Sequence, residues 1–482
     1  MNRRACIAVL ALLGAACGHS DPRHGAAAAP ARACLPGWPA VAHHAGGEII
    51  SLPDSALPIA CAVETGYATS ESTLAVSGDG HLVYSPAQNE NSLARSGDAG
   101  ASWQLTFPAV AQPTSFWNTV DPYLIADRST GRLFWVHATG PVRNENALPQ
   151  DLGFYLAAAA GFQVYTSVDD GYSWTTADYQ TAPTGDWEQL FLGPAPADAA
   201  QPVGYPNVIY ICANSPVEVA GPGRICYKSL DGGATFQIGG FVTPSATTPQ
   251  DICQPLQFRN GVVDRAGTIY IPATCQLSDY IAQSSDEGAS WSWSKFANAP
   301  TSSGILPGED FQLAVDDGDT LYALWTDPAD GQLRLEMSRD LAKTWSTPMP
   351  VSAPGLKTAH RATFAAGAAG QLAIAYYGSD DPAAESLTAY ITQTQNALDD
   401  APVFFSAPLN DPAAPIFVDS GLTGGRPRAD FIGGGWDAAG TQYWAGMVKQ
   451  LGPDTVDEDS DQYTTGLVGH LEFPATAPLR LP

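Results

Sequence analysis

The sequence predicts an all-β fold: a single β-propeller of four-stranded antiparallel blades, with seven blades favoured over six. Three observations lead there. An eight-residue turn motif recurs five times, and a strand–turn–strand pattern recurs seven times. The chain is also long and apolar enough to bury a large core, with 482 residues of which 45% are hydrophobic. Repeats of this kind indicate units that stack, because no unit buries its apolar face alone.

The turn motif reads S-x-D-x-G-x-[ST]-[WF], at intervals somewhat longer than a four-stranded propeller blade. Its copies begin at Ser96, Ser167, Ser229, Ser284 and Ser338. An Asp early in a tight turn accepts backbone N–H bonds, a Gly supplies an unusual backbone angle, and the closing aromatic begins the next strand. The motif therefore predicts hairpin tips with a structural Asp in each, at Asp98, Asp169, Asp231, Asp286 and Asp340. The fifth copy has Ala342 where Gly is expected.

The strand pattern counts the blades independently of the turns. Its seven copies span residues 72–85, 121–137, 189–213, 257–273, 311–325, 362–377 and 429–447. The first five are each followed by a turn motif. The sixth is followed by an eroded copy with Asn396, Asp399 and Phe404, and the seventh by none. Residues 48–52 or 466–473 are expected to close the ring.

These turns resemble Asp boxes, also called BNR repeats, of the sialidase (neuraminidase) superfamily of β-propellers. The resemblance implies that the boxes lie on blade edges away from an active site. It also implies a catalytic pattern: three Arg that hold the substrate carboxylate, the first in an Arg-Ile-Pro-like motif, with an acid/base Asp and a Glu-assisted Tyr nucleophile. Between the tether and the first box this chain has only Arg95, outside such a motif. Arg361 and Arg428 are candidates for the later two, so the resemblance leaves the activity open.

The N-terminus resembles an export signal, predicted over residues 1–16. A basic start at Arg3 and Arg4 precedes a short apolar stretch and a small-residue cleavage region. Cys17 follows directly, as in a bacterial lipoprotein signal, although Gly14 stands where such signals usually carry Leu. Lipid attachment at Cys17, giving an outer-membrane or cell-surface protein, and plain secretion both fit. Residues 17–45 are predicted to be a disordered tether rich in Ala, Pro and Gly, and residues 46–482 the propeller.

Charge and cysteines bound the partners and the cross-links. A net charge of −27 argues against nucleic acid and anionic membrane surfaces, so membrane contact is expected only through an N-terminal lipid and the protein is expected to be a monomer. Beyond Cys6 and Cys17, an even number of cysteines in an exported chain favours three disulfides over a metal site. Pairing by neighbours would join Cys34 to Cys61, Cys212 to Cys226 and Cys253 to Cys275.

Polar residues at the beginnings of the inner strands are the candidate functional site, because propellers commonly bind ligands at one mouth of the central channel. The candidates for proton transfer are the carboxyl groups of Asp121, Glu188, Asp310 and Asp430. The candidates for binding an anionic sugar are Arg361, Arg428, His360, Trp187 and Arg259. The alternative interpretation is a solvated ring of salt bridges in the channel.

An acidic stretch raises the question of Ca²⁺. Asp457, Asp459 and Asp461 alternate with other residues, a spacing that can wrap Ca²⁺, but no Gly follows where an EF-hand would need it, which favours a solvated acidic loop. No cofactor is required. The leading functional hypothesis is glycan engagement at the central funnel, as a glycoside hydrolase related to sialidases or a binder descended from them. The competing hypothesis is a non-catalytic platform for protein interaction or surface assembly.

Overall fold

The computed structural model describes most of the chain in segments. These segments are residues 37–69, 71–86, 92–108, 116–118, 122–141, 159–177, 180–184, 188–214, 224–242, 256–258, 260–275, 278–296, 311–418, 432–451 and 464–474. The only helix in these segments is one 3-10 turn, Asp54–Ala56. They contain no helix that is long and apolar enough to cross a membrane.

Seven antiparallel sheets form the blades of a seven-bladed β-propeller, which confirms the predicted fold class and the favoured blade number. Blades 1 to 3 follow one another along the chain. From the channel outwards their strands are, in blade 1, Thr73–Val76, Leu82–Ser85, Leu93–Ser96 and Gln104–Thr106; in blade 2, Tyr123–Ala126, Leu133–Pro141, Ala159–Ser167 and Thr175–Thr176; and in blade 3, Gln189–Gly193, Val208–Asn214, Arg224–Ser229 and Gln237–Val242. Blade 2 has two additional strands, Phe116–Asn118 beside its second strand and Gln180–Thr184 beside its third.

Blades 4 to 6 continue in the same way. Their strands are, in blade 4, Val262–Val263, Ile269–Cys275, Ser278–Ser284 and Ser292–Lys295; in blade 5, Gln312–Val315, Leu321–Asp327, Gln332–Ser338 and Met349–Pro350; and in blade 6, Thr358–Ala366, Leu372–Ser379, Ser386–Thr394 and Val403–Pro408. Leu256–Phe258 adds to the second strand of blade 4 and Phe417–Val418 to the third strand of blade 6.

Blade 7 closes the ring with strands from both ends of the described chain. Gly433–Trp436, Tyr443–Gln450 and Thr464–Glu472 form its inner three strands, and Ile59–Glu64 pairs with the third. Residues 466–473, one of the two segments expected at the closure, lie largely in that third strand. Residues 48–52, the other, form no strand and make only the isolated bridge from Ile49 to His43.

Two further N-terminal strands extend the outer edges. Val41–His44 pairs with Val403–Pro408 of blade 6, and Trp38–Pro39 pairs with Ile59–Glu64 of blade 7. Both strands fall within residues 17–45, the predicted tether, so regular structure begins before residue 46. They are too short for their alternation to be visible in the sequence, and the partner of Val41–His44 lies hundreds of residues away.

The apolar core lies between adjacent blades. In the second strand of blade 2, Phe134 and Val136 pack toward blade 3, whereas Leu133 and Trp135 pack toward blade 1. Every sheet is therefore covered on both faces, which explains why the inner and middle strands read as apolar runs rather than as clean alternation. Each inner strand also contacts the inner strands of both flanking blades, so the seven form a closed ring around the channel.

The five repeated turns connect the third and fourth strands of blades 1 to 5 and share one hydrogen-bond pattern. In the first, the Ser96 hydroxyl donates to Asp98 Oδ1 at 2.8 Å, and Gly100 N donates to Ser96 Oγ at 2.8 Å. Ser102 then donates to the same carboxylate from its N–H at 2.8 Å and from its hydroxyl at 2.7 Å. Equivalent bonds occur around Asp169, Asp231, Asp286 and Asp340. In the fifth turn, bonds led by those from Thr344 lower the pKa of Asp340 to about 2.

The turns require left-handed backbone at their fourth and fifth positions. Gly100 and Gly288, both fifth, have φ of 83° and 86°. Ala342 takes the same place in the fifth turn with φ of 64°, so a residue with a Cβ is accommodated there. In blade 6 the eroded copy keeps part of the pattern, because Asn396 Oδ1 accepts from the Thr394 hydroxyl at 3.1 Å and from Val403 N at 3.0 Å.

A disulfide joins Cys212 to Cys226, as expected, across directly paired positions of the second and third strands of blade 3. Cys61 is also disulfide-bonded. Cys34 and Cys253, and the side chain of Cys275, lie outside what the structure describes, so the other two expected pairings stay predictions.

Two glycine substitutions separate backbone strain from steric clash in the turns. A Cβ at Gly288 would meet only ordinary contact, 3.5 Å from Trp291 Cζ2, whereas a Cβ at Gly100 would lie 2.5 Å from Val63 Cγ2 of blade 7. We expect Gly288→Ala to destabilise by about 1 to 2 kcal/mol through its backbone alone. Gly100→Ala should cost about 1 to 3 kcal/mol more. Equal losses of thermal stability in the two variants would contradict this assignment.

Candidate functional site

All seven inner strands run in the same direction, so their first residues meet at one end of the channel. Thr73 at the start of blade 1 illustrates this: its hydroxyl bonds the carbonyl of Pro122 at the start of blade 2 and accepts from Leu124 N at 3.1 Å. We call this end the upper mouth, marked by the residues directly before the inner strands, Ser72, Pro122, Glu188 and Phe311. The repeated turns lie at the opposite, lower end.

Three of the sequence-predicted site residues lie in the described segments at the upper mouth. They are Glu188 of blade 3 and His360 and Arg361 of blade 6. The others lie outside the described residues and stay predictions: Asp121, Trp187, Arg259, Asp310, Arg428 and Asp430, together with the Ca²⁺ candidates Asp457, Asp459 and Asp461.

Arg361 lies in a β-bulge of the innermost strand of blade 6. His360 pairs with Tyr377 and Thr363 with Ala375, so Arg361 and Ala362 together oppose Tyr376. A bulge of this kind re-aims a side chain and is often found beside active sites. Arg361 also has φ of 52°, in the left-handed region that costs a side-chain-bearing residue about 1 to 2 kcal/mol. Its side chain is nevertheless buried, with 7% exposure.

The other non-glycine residues with positive φ show how unusual this placement is. Among the described residues, six of the eight lie in lower-end turns: Ala99, Asp170, Glu287, Asp319, Leu341 and Ala342. The remaining two are Arg361 and Glu71, of blades 6 and 1, and both are charged, buried and at the upper mouth. Strained backbone persists only where the surrounding structure over-determines it, and it clusters at active sites and ligand-binding sites. Glu71 was missed in the sequence because it precedes the first strand pattern and belongs to no motif.

Two buried tyrosines line the sector between blades 6, 7 and 1. The Tyr377 hydroxyl donates to the Val448 carbonyl and accepts from Val448 N, both at 2.8 Å. Burial raises the pKa of Tyr377, and the positive charge of nearby Arg361 acts against that shift. Tyr84 donates to the Met447 carbonyl at 3.2 Å, and burial raises its pKa as well. Both phenols therefore tie blades together and stay protonated near neutral pH.

Blade 3 contributes a buried arginine that sequence reasoning missed. Arg224 is completely buried, and its Nη2 donates to Gln189 Oε1 at 2.9 Å and to the Cys212 carbonyl at 2.7 Å. Gln189 directly follows Glu188, which is also completely buried. The guanidinium thus spans from the third strand to the innermost one, beside the Cys212–Cys226 disulfide. A buried charge needs polar partners, so this corner of the mouth is a preorganised polar site inside an apolar blade.

Blade 4 contributes a carboxyl group whose ionisation is shifted. Asp279 is the second residue of the third strand and pairs with Thr274, whose hydroxyl donates to its carboxylate. Burial raises the pKa of Asp279 to about 6, against the weaker opposing effect of that bond. A carboxyl group that stays protonated to pH values near 6 suits general acid catalysis. No sequence motif marks it, because the shift comes from burial that only the register of blade 4 creates.

The lower end of the channel also carries charged residues, and their bonding partners are clear. A cavity of about 330 Å³ lies there between blades 3, 4 and 5, lined in part by Asp264, Arg265, Asp316 and Asp319. Asp264 accepts from two backbone N–H groups and from Tyr270, and Asp319 pairs with Arg265 at 2.9 Å. Arg95, the early arginine, also lies at this end, with its Cζ 3.4 Å from the Tyr172 ring centroid. Arg95 therefore links blades 1 and 2 through a cation–π contact.

One group of possible metal ligands occurs among the described residues, Cys61, His470 and Glu472 of blade 7. Cys61 is disulfide-bonded, so it supplies no thiolate. The remaining His and Glu are too few ligands for a structural metal site.

Comparison with known proteins yields similarities of fold only. No protein-family model matches the chain, and no curated protein matches it in sequence. The Hadza microbial sialidase Hz136 shares 15% identity at a TM-score of 0.42, over 72% of this chain and 68% of that one. The NanB sialidase from Streptococcus pneumoniae shares 11% at 0.43, over 85% and 70%. The α-L-arabinofuranosidase Arb93A from Fusarium graminearum shares 13% at 0.45, over 76% and 95%. At these values the similarities carry no argument about activity.

Asp279 should make stability depend on pH. Its pKa is raised in the folded state, so folding retains a proton that the unfolded chain releases, and stability falls as pH rises from about 4 through about 6. In Asp279→Asn the amide oxygen still accepts from Thr274 without a charge. We expect this variant to gain up to about 3 kcal/mol at pH about 7.5 and nothing near pH 4, measured by thermal unfolding. Asp340→Asn is the control, because its lowered pKa predicts a loss at neutral pH instead.

The left-handed backbone at Arg361 should lower the free energy of unfolding of the protein. Arg361→Gly relieves the left-handed backbone, whereas Arg361→Ala removes the same charge and keeps a Cβ. We expect the glycine variant to be more stable than the alanine variant by about 1 kcal/mol in chemical denaturation. If alanine were as stable as glycine, the φ of 52° would not be a source of strain.

Proposed function

We propose that the protein engages an acidic glycan at the upper mouth, with Arg361 as the group that binds its carboxylate, and that it acts there as a glycoside hydrolase. The observation that carries this proposal is Arg361 itself: a buried cation on strained backbone, in a bulge of an innermost strand. Arginine forms paired hydrogen bonds with carboxylates. Packing alone does not explain a non-glycine residue with left-handed backbone at such a position, because that conformation opposes folding.

Glycoside hydrolysis requires two carboxyl groups with different ionisation states. Asp279 supports the role of proton donor, since its pKa is about 6. Glu188 and Glu71 supply further carboxyl groups at the same mouth, on blades 3 and 1. Asp121, Asp310 and Asp430 remain candidates for the same roles, as Arg428, Arg259, His360 and Trp187 do for binding. Ca²⁺ at Asp457, Asp459 and Asp461 would be accessory to this chemistry.

Hydrolysis of a panel of fluorogenic glycosides, with uronides and sialosides beside neutral sugars, tests the proposal. We expect activity on an acidic member of the panel and at least a hundredfold loss of kcat/KM in Arg361→Gln, equal to about 2.7 kcal/mol of transition-state binding. Arg339→Gln is the matched control: Arg339 lies at the lower end, where it donates to the Leu398 carbonyl. Activity that survives Arg361→Gln would refute the site assignment.

A non-catalytic binder is the second candidate, and the tyrosines favour it. Tyr84 and Tyr377 are engaged with backbone groups of blade 7 and have raised pKa values, so neither is available as an ionised nucleophile. A binder would show calorimetric binding of an acidic oligosaccharide that Arg361→Gln abolishes, without turnover of any glycoside. Turnover of any glycoside would exclude a non-catalytic binder.

The proposed site of action is outside the cytoplasm. Its support is the basic and apolar N-terminal sequence ending before Cys17, which fits either lipid attachment or secretion. The protein is proposed to act as a monomer that reaches membranes only through such a lipid. Mass spectrometry of the mature N-terminus distinguishes the two forms, because a diacylglyceryl modification of Cys17 adds a characteristic mass and cleavage by itself does not.

A further inference from the structure

The N-terminal strap, residues 37–64, lies across the outer edges of blades 6 and 7. Its strand Val41–His44 pairs with Val403–Pro408 of blade 6, and its strand Ile59–Glu64 completes blade 7. His43 is the central contact of the first strand. It is completely buried, and its ring stacks on Phe404 with centroids 5.8 Å apart.

A continuous chain of hydrogen bonds runs inward from His43 through blade 6. His43 Nε2 lies 2.8 Å from Ser406 Oγ, which lies 2.7 Å from Thr392 Oγ1. Thr392 Oγ1 is 3.1 Å from the Tyr376 hydroxyl, and that hydroxyl accepts from Ala353 N at 2.7 Å. Four consecutive bonds therefore connect the strap to the segment that joins blades 5 and 6, and all four side chains are buried.

The chemistry of the two ends fixes the direction of every bond. His43 Nδ1 faces the His44 carbonyl at 3.0 Å, which only accepts, so Nδ1 carries the proton and Nε2 of the neutral ring is the acceptor. Ser406 must then donate to His43, and Thr392 to Ser406. At the other end the Tyr376 oxygen already accepts from Ala353, and its own proton goes to Thr392. With a neutral His43 every donor and acceptor named in this chain is paired.

We propose that this chain is a pH-sensitive latch that holds the strap on blade 6 and opens when His43 is protonated. A proton on Nε2 turns that atom into a donor facing the Ser406 hydroxyl proton. The bond to His43 survives only if Ser406, Thr392 and Tyr376 all reverse their hydroxyl groups, and the Tyr376 proton then loses Thr392 as its acceptor. Acid therefore leaves a buried cation at one end of the chain and a displaced buried donor at the other, which favours release of Val41–His44.

Burial accounts for the titration of the latch. It lowers the pKa of His43, the bond to the His44 carbonyl opposes that shift, and the charge of His44 adds to it. The groups of blade 6 that face the ring, Phe404 and Ser406, carry no charge. Because the folded pKa is depressed, the contribution of His43 to stability is full above the ordinary value of about 6.5 and is lost as pH falls below it.

The inner end of the chain lies close in sequence to the candidate site. Ala353 precedes the innermost strand of blade 6, which carries His360 and Arg361. If the proposed function holds, release of the strap would reduce binding at the upper mouth as well. The effect on binding rests on the proposed function, whereas the latch itself does not.

Hydrogen exchange of the full-length protein, read by mass spectrometry from neutral pH down to about pH 4, tests the latch. His137, with a pKa of about 3, stays largely neutral over this range, and readings at and above about pH 5 also keep His470, with a pKa of about 4, largely neutral. After correction for intrinsic rates, we expect peptides covering residues 41–44 and 403–406 to exchange at least tenfold faster at the acidic end. The reference is Val208–Asn214 of blade 3, which should not change. Strap peptides that follow blade 3 at every pH would overturn the proposal.

Variants assign any effect to the chain. His43→Gln keeps an acceptor and a donor but does not titrate, so its strap should stay protected at all pH values. An acid response equal to that of the wild type would refute the role of His43. Thr392→Val interrupts the chain and should speed strap exchange about tenfold at neutral pH. Tyr376→Phe breaks the next bond inward and serves if the valine variant does not fold.

The link to the upper mouth has its own readout. Peptides covering residues 353–361 should lose protection together with the strap in acid and in Thr392→Val at neutral pH. If the strap opens while this segment stays protected, the latch stands and the coupling to the site is wrong. Failure of the protein to bind any glycan would leave both exchange results intact, so the latch and the proposed function fail separately.

Discussion

The whole structure depends on closing the ring of seven blades. Each sheet is apolar on both faces and is stable only between two neighbours, so an open row of blades would leave two large apolar faces in water. The closure is made by backbone pairing, because Ile59–Glu64 forms the fourth strand of blade 7 on Thr464–Glu472. The N-terminal strap therefore joins the first and last parts of the propeller, and it also adds a strand to blade 6.

Closure also explains why the two ends of the channel differ. At the lower end, the repeated turns and the turns between first and second strands satisfy their own polar groups, and charged pairs such as Lys228 with Glu287 link one blade to the next. This end fixes the spacing of the blades. The upper mouth does not set the spacing of the blades and contains features that oppose folding. These are the buried Arg224, the raised pKa of Asp279, and the strained backbone at Glu71 and Arg361.

The sequence predicts the features that depend on local contacts and misses those that depend on contacts between blades. The turns are local: Ser96, Asp98 and Ser102 bond within eight residues, so their pattern is legible in one dimension and led to the blades. Arg361 was also found, since its distance from a strand pattern placed it at the mouth. Arg224 and Asp279 could not be found in that way, because their burial depends on register and on neighbouring blades. The strap strands were missed for the same reason: Val41–His44 becomes a strand only against residues 403–406.

Positive φ at a non-glycine residue has different causes at Ala342 and at Arg361. Both are side-chain-bearing residues with left-handed φ, 64° and 52°. Around Ala342 the turn repeats in four other blades with glycine in its place, and the backbone N–H bonds that Ser338 and Asp340 accept hold the conformation whatever the residue. No other described inner strand has a non-glycine residue with positive φ between its first and last residues. A strain that the repeat itself imposes is structural, whereas one that departs from the repeat, on a buried cation, indicates selection for something other than stability.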